Sequence, residues 1–180
     1  ATIGTYAFYE AKRASNIIVY NGVKEIGESA FENSTTLATS AILYVGSSSS
    51  SVLATIGKNA FKGCTMAKTI RVRAKTIGES AFHYCEKLQT LTIPDSVTKI
   101  DKKAFYACEN LQTVKMSKNV KFIGESAFEY SDITEVKIPA SVTTIEKNAF
   151  SYASWLTKIE VDEANANYKS VDGVFFDKDM

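Results

Sequence analysis

Seven segments of this chain fit the pattern Ile-x-x-x-Ala-Phe: Ile3 to Phe8, Ile26 to Phe31, Ile56 to Phe61, Ile77 to Phe82, Ile100 to Phe105, Ile123 to Phe128 and Ile145 to Phe150. Three of them are the same hexapeptide, IGESAF, beginning at Ile26, Ile77 and Ile123. The phenylalanines are separated by 23, 30, 21, 23, 23 and 22 residues, which defines a 23-residue unit with one seven-residue insertion and small deletions elsewhere. A fixed period of this length marks an array in which each unit packs only against its neighbours.

With the phenylalanine fixed, the rest of the unit falls into columns. Three residues on stands a small residue: Ala11, Ser34, Cys64, Cys85, Cys108, Ser131 or Ala153. Apolar positions follow at six, nine and eleven residues, as in Leu88, Leu91 and Ile93, or Leu111, Val114 and Met116, or Leu156, Ile159 and Val161. Val97 and Ile100, or Val120 and Ile123, close one unit and open the next.

Each part has a local reading. In Ile-Gly-Glu-Ser-Ala-Phe, glycine is an acceptable helix N-cap, glutamate faces the positive end of the helix dipole, and Ile and Phe have the spacing of a hydrophobic staple. The pattern therefore predicts a short helix or helical turn. Asp101 and Glu146 replace the glycine in two copies, which argues against an obligatory positive φ and for the capping role. The alternation in Leu91-Thr-Ile93 and Val136-Lys-Ile138 reads as a strand with one face buried, ended by Pro94 and Pro139.

One strand and one helical turn cannot bury an apolar face alone. Stacked copies can, with like residues in columns and strands in a parallel sheet at about 4.8 Å per repeat, giving a rod roughly 34 Å long.

The composition agrees with a folded chain: 45% apolar residues, two prolines and a formal charge of +1. Such a charge supplies no global field that would draw the chain onto nucleic acid, so electrostatic recognition must be local. No apolar run approaches the roughly 18 residues of a transmembrane helix, and no signal peptide is visible. The chain is then either cytosolic or the trimmed interior of something exported, and Ile3 to Phe8, already the middle of a unit, favours trimming.

The condensed pattern I-x-x-x-A-F-x-x-C-x-x-L-x-x-I-x-I-P-x-S-V resembles the BspA-like class of leucine-rich repeats, found in surface and secreted proteins of bacteria and of some parasitic protists. The likeness covers residues 1–161, and the Ala-Phe-x-x-Cys segment sets this class apart from other leucine-rich repeats. It implies an α/β leucine-rich repeat solenoid of about seven repeats of 23 residues, with a parallel sheet on the concave face and short helices or helical turns opposite. Residues 1–161 would form the array, with an insertion near 46–52. Residues 162–180 would form an irregular C-terminal segment like those that follow such arrays, leading into further sequence. The resemblance further implies an extracellular or cell-surface location and an adhesion role, with no catalytic residues and no cofactor.

The candidate chemical groups are few. Cys64, Cys85 and Cys108 share one column in successive units. They read as small buried residues interchangeable with Ala11, Ser34 and Ala153. An odd count argues against a disulfide framework, although neighbouring thiols at about 5.5 Å would leave a bridge open. His83, the one histidine, has no cysteine or serine placed beside it by any motif and reads as a partly exposed surface residue. Asp162, Glu163, Asp172, Asp177 and Asp179 match no EF-hand spacing, so no metal site is expected. Asn33-Ser-Thr35 fits an N-glycosylation acceptor, and Gly46 to Ser51 reads as a flexible loop.

The strand face carries the informative surface. Ten residues beyond each phenylalanine, allowing for a deletion, the column reads Ile18, Ala41, Arg71, Thr92, Lys115, Lys137, Glu160, with Arg73 beside Arg71 and with Tyr20, Thr90, Thr113, Ser117, Glu135, Lys158 and Asp162 flanking it. A basic middle is followed by an acidic end. Arg71, Arg73, Lys115, Lys137, Thr92, Tyr20 and Glu160 are the candidate contacts for a protein or glycan on a host or microbial surface. The alternative is a solvated face on a non-binding spacer within a larger surface protein.

Overall fold

The computed structural model describes residues 1–13, 18–19, 23–34, 42–45 and 53–177. Each coil supplies two short strands: β1 (Thr2–Ile3) and β2 (Ile18–Val19), β3 (Glu25–Ile26) and β4 (Ile42–Val45), β5 (Leu53–Ile56) and β6 (Thr69–Val72), β7 (Ala74–Ile77) and β8 (Thr90–Thr92). The series continues with β9 (Lys99–Ile100) and β10 (Thr113–Lys115), β11 (Phe122–Ile123) and β12 (Glu135–Ile138), β13 (Thr144–Ile145) and β14 (Lys158–Val161). Odd-numbered strands form one seven-stranded sheet and even-numbered strands another, with neighbours parallel throughout both.

The second sheet was not expected. The segment ending at the isoleucine that opens each unit, such as Thr2–Ile3, Lys99–Ile100 or Phe122–Ile123, is a strand in its own right, only two to four residues long. Seven strands in a sheet are joined by six complete turns, so the solenoid has about six turns and not seven. The seventh unit begins at β13 and ends at β14 without returning to the first sheet.

The expected helices are also absent among the described residues. Residues 78–85 show why. The N–H groups of Ser80, Phe82 and Tyr84 donate to Lys102, Ala104 and Tyr106 in the next coil, at 2.9, 2.8 and 3.0 Å. Those of Ala81, His83 and Cys85 instead donate back three residues, to Gly78, Ser80 and Phe82. An α-helix needs every donor for its own fourth carbonyl back, and here alternate donors belong to the neighbour. The geometry is reached by placing the residues two before and two after phenylalanine in the left-handed region, as at Ser80 (φ 53°) and Tyr84 (φ 60°). Each such residue costs about 1–2 kcal/mol, offset by the ladder that the conformation permits.

The glycine has a different role from capping. A Cβ at Gly57 would lie 2.6 Å from the Ile26 carbonyl oxygen, and one at Gly78 would lie 2.4 Å from that of Ile56. Those carbonyls accept the N–H groups of the same glycines at 2.8 and 2.9 Å. At these two positions a Cβ would force the neighbouring coil to shift, and neither glycine has a positive φ. Where Asp101 and Glu146 stand instead, the side chains accept backbone bonds: Asp101 Oδ1 accepts from the adjacent Lys102 N–H at 2.9 Å, and Glu146 Oε2 accepts from Glu125 N–H of the neighbouring coil at 2.8 Å.

The core lies between the two sheets and the turns. Ile26, Ile56, Ile77, Ile100 and Ile123 are wholly buried, as are Ala30, Ala60, Ala81, Ala104 and Ala127. The phenylalanines form one continuous stack from Phe8 to Phe150, with adjacent centroids 5.0–5.3 Å apart and planes within 7° of parallel. Offset stacking of this kind adds to the gain from burial.

The C-terminal segment, expected to be irregular, carries an antiparallel hairpin of β15 (Tyr168–Val171) and β16 (Val174–Asp177). Asp172 (φ 50°) and Gly173 (φ 80°) make its turn. An Asp-Gly pair between two short strand segments is a hairpin signal. Asn165, fully buried, ties this segment to the last coil by donating to the carbonyls of Pro139 and Val142 at 2.9 and 3.0 Å.

Candidate functional site

The even-numbered sheet presents the face on which the candidate residues were expected. Its strands alternate exposed and buried positions, as in Glu135–Ile138, so one set of side chains fills the core and the other forms an outer column. Register places Ile18 beside Tyr44, Tyr44 beside Arg71, Arg71 beside Thr92 and Thr92 beside Lys115. Thr113 pairs with Glu135, which sets Lys115 opposite Lys137, and Lys137 pairs with Glu160. The column is therefore the expected one except at its second position, which is Tyr44 and not Ala41. Ala41 and Tyr20 lie outside the described residues, as does the segment 46–52.

Arg71, Thr92, Lys115 and Lys137 are exposed, while Arg73 and Glu160 are half-buried. Two depressions lie on this face. One, of about 500 Å³, is bordered by Thr69, Arg71, Arg73, Thr90, Thr92 and Pro94. The other, of about 300 Å³, is bordered by Gln112, Thr113, Thr134, Glu135, Lys137 and Glu160.

The charges are not balanced along the column. At the acidic end Glu160 is ion-paired with Lys158, whose hydrogen bond holds the Glu160 carboxyl below its ordinary value, helped by Lys137. Lys158 also stands in register with Glu135. Toward the middle, Arg71 and Lys115 form no ion pair among the described residues. They stand two strands apart in register, about 10 Å. The face thus offers a cationic centre and an acidic end that is already answered.

The cysteines are small buried residues, as expected, and all three are free. Burial pushes the Cys64 and Cys108 thiols up to about 12 and that of Cys85 well above its ordinary value. His83 is half-buried between Tyr84 and Tyr106, its ring 4.2 and 4.7 Å from theirs. Burial lowers it to about 4, with Lys62 and Lys103 adding to the effect. Exposed Tyr84, Tyr130, Tyr152 and Trp155 were not recognised as a group in the sequence. The signal was available, since three of them stand two residues beyond a phenylalanine of the repeat.

Among the described residues, no three histidine, cysteine or acidic side chains are grouped to hold a metal ion, and no helix is long and apolar enough to cross a membrane. A stacked parallel solenoid with a polar strand face defines a repeat scaffold whose surface, and not an enclosed pocket, is the part available for function. The chain belongs to the BspA-type leucine-rich repeat family: the model for the BspA type leucine rich repeat region matches residues 1–74 and 44–157 in six copies. No catalytic family is indicated. A leucine-rich cell surface protein from Faecalibacterium prausnitzii has a similar structure, with 32% identity, a TM-score of 0.82 and alignment over 99% of this chain and 46% of that one. The pneumococcal vaccine antigen PcpA is 23% identical at a TM-score of 0.62, over 99% of this chain and 40% of that one. A leucine-rich repeat protein from Bacteroides ovatus is 19% identical at a TM-score of 0.54, over 89% and 58%. These last two share the fold. This chain spans less than half of the Faecalibacterium protein. No curated protein matches it.

Proposed function

We propose that this chain is a non-enzymatic recognition module of a bacterial cell-surface or secreted protein, binding a protein or glycan through the even-numbered sheet. The observation that carries the reading is the cationic centre at Arg71 and Lys115, exposed and without an ion pair among the described residues, with Arg71 bordering a depression on the strand face. Lys137 extends it, and Arg73, Thr92 and Glu160 border it. A ligand with acidic or sulfated groups fits this charge, and electrostatic complementarity would set its orientation and encounter rate more than its affinity. The cell-surface description of the Faecalibacterium protein supports the location.

The test is a binding screen of the immobilised chain against extracellular-matrix proteins and sulfated glycans, beside an R71E, K115E, K137E variant with an unchanged melting curve. Binding by the parent that the variant loses supports the proposal. A second reading, a spacer that binds nothing, draws on the unbroken phenylalanine stack, which stiffens the rod along its length. Absence of binding by both proteins would favour it.

A further inference from the structure

We propose a second docking surface, on the turn side of the solenoid, that takes a lysine- or arginine-bearing segment of a partner protein. The turns project an aromatic ladder outward. The Tyr106 ring lies 5.4 Å from that of Tyr130, and Tyr130 stacks on Tyr152 at 4.7 Å with planes 3° apart. Tyr130 and Tyr152 are nonetheless 42% and 66% exposed, so their contacts with each other leave much of their surface in water. Tyrosines held in this way lose little entropy on binding and present amphipathic faces.

Charge selects the occupant. Glu109 and Asp132 stand one residue beyond Cys108 and Ser131 in the repeat, and with Tyr130 and Tyr152 they border a depression of about 380 Å³. Neither carboxylate has an ion pair among the described residues. The ladder also shows what its rings accept, because the Lys103 ammonium sits 5.0 Å from the centroid of Tyr106. Aromatic faces beside unanswered carboxylates bind a cation through both cation–π attraction and ion pairing. Lys103 is committed to Tyr106, and Glu109 and Asp132 border the depression together with Tyr130 and Tyr152. This surface is separate from the basic strand face and has the opposite preference.

Octalysine is the probe, titrated into the whole chain at moderate salt and followed by amide chemical shifts and by fluorescence of the one tryptophan, Trp155. Octaglutamate and a neutral hexasaccharide serve as controls. The net charge of +1 makes diffuse attraction to octalysine weak. Saturable binding of octalysine is expected, weakened at least tenfold by E109Q with D132N, and separately by Y130L with Y152L. The charge-neutralising pair tests the surface even if the tyrosine pair disturbs folding. Absence of octalysine binding, binding indifferent to either pair, or preferential binding of the neutral hexasaccharide would overturn the proposal.

Discussion

The thiol of Cys108 donates to the backbone carbonyl of Phe82 at 3.3 Å, one coil below. Cys64 does the same to Phe31 at 3.4 Å and Cys85 to Phe61 at 3.6 Å, while Ser34 uses its hydroxyl on Phe8 at 3.0 Å. At these four positions the column makes inter-coil bonds, whereas Ser131 in the same column donates to Phe128 of its own coil at 2.7 Å. A thiol is a weak donor and a hydroxyl a stronger one, so Cys and Ser alternate here without a change of fold.

Cys108→Ser should therefore cost less than about 1 kcal/mol, whereas Cys108→Leu should cost about 1–3 kcal/mol or more by overpacking between coils. Urea melts of the two variants check the contrast. The same burial keeps the thiols protonated, and a thiol reagent at pH 8 should react with all three cysteines only after denaturant is added.

Glycine contacts predict a position-specific penalty. Gly78→Ala must move the backbone at Ile56, against which its Cβ would lie at 2.4 Å, and an added methylene in a packed site costs about 1–3 kcal/mol or more. Gly4→Ala occupies the same place in the repeat, but a Cβ there meets nothing within 4 Å. Thermal melts should show a clear loss of stability for the first and almost none for the second. Equal losses at both sites would restore the capping explanation.

Position in the phenylalanine stack decides the cost of removing a ring. Phe105 is wholly buried, with Phe82 at 5.2 Å and Phe128 at 5.3 Å, so Phe105→Ala should cost about 3–5 kcal/mol. Phe8, at the end of the stack, is 50% exposed, and Phe8→Ala should cost well under half of that. Chemical denaturation of each variant measures the difference.

How much of this could be read from the sequence depends on the range of the interaction. The Ile, Ala, Phe and Leu columns are visible because identical environments repeat every 23 residues. The two-residue strands such as Lys99–Ile100 are too short to show an alternation. The choice between a helix and stacked turns is invisible locally, since it rests on donors such as Phe82 N–H bonding to Ala104 in another coil. Asn33, Asn59 and Asn148 at left-handed positions were the available hint. In the candidate site, Tyr44 was missed because it lies thirteen residues beyond Phe31 and not ten, so the extra length of that coil falls on both sides of the strand.

His83 gives the fold an identifiable dependence on pH. Its folded value of about 4 lies below the ordinary 6.5, so the unfolded chain binds the proton more readily and stability rises with pH between these values. The contribution is complete above about pH 6.5 and lost as the pH falls toward 4. With the ring half-buried and solvent screening allowed for, the effect should be near ~1 kcal/mol. Melting temperature should hold from pH 8 to 7 and fall by roughly 2–4 °C toward pH 5, and the fall should be absent in His83→Phe.

Asn165 closes the array, and it should be the costliest polar residue to change. Besides its two donated bonds, its Oδ1 accepts the N–H groups of Asn167 and Tyr168 at 2.8 and 2.9 Å. Tyr168, so placed, turns its hydroxyl to accept the N–H of Ile145 in β13 at 3.0 Å. One buried amide thus fixes the segment that covers the last coil. Asn165→Ala leaves buried donors and acceptors without partners, at about 1–3 kcal/mol for each group. Asn165→Asp keeps the shape and the two accepted bonds but cannot donate to Pro139 and Val142, and it buries a charge. Both should lower the melting temperature, and hydrogen exchange should show the loosening first at Ile145 and in the hairpin of residues 168–177. Exchange that rises evenly through all coils would instead mean that the array unfolds as one unit and that Asn165 supports the whole of it.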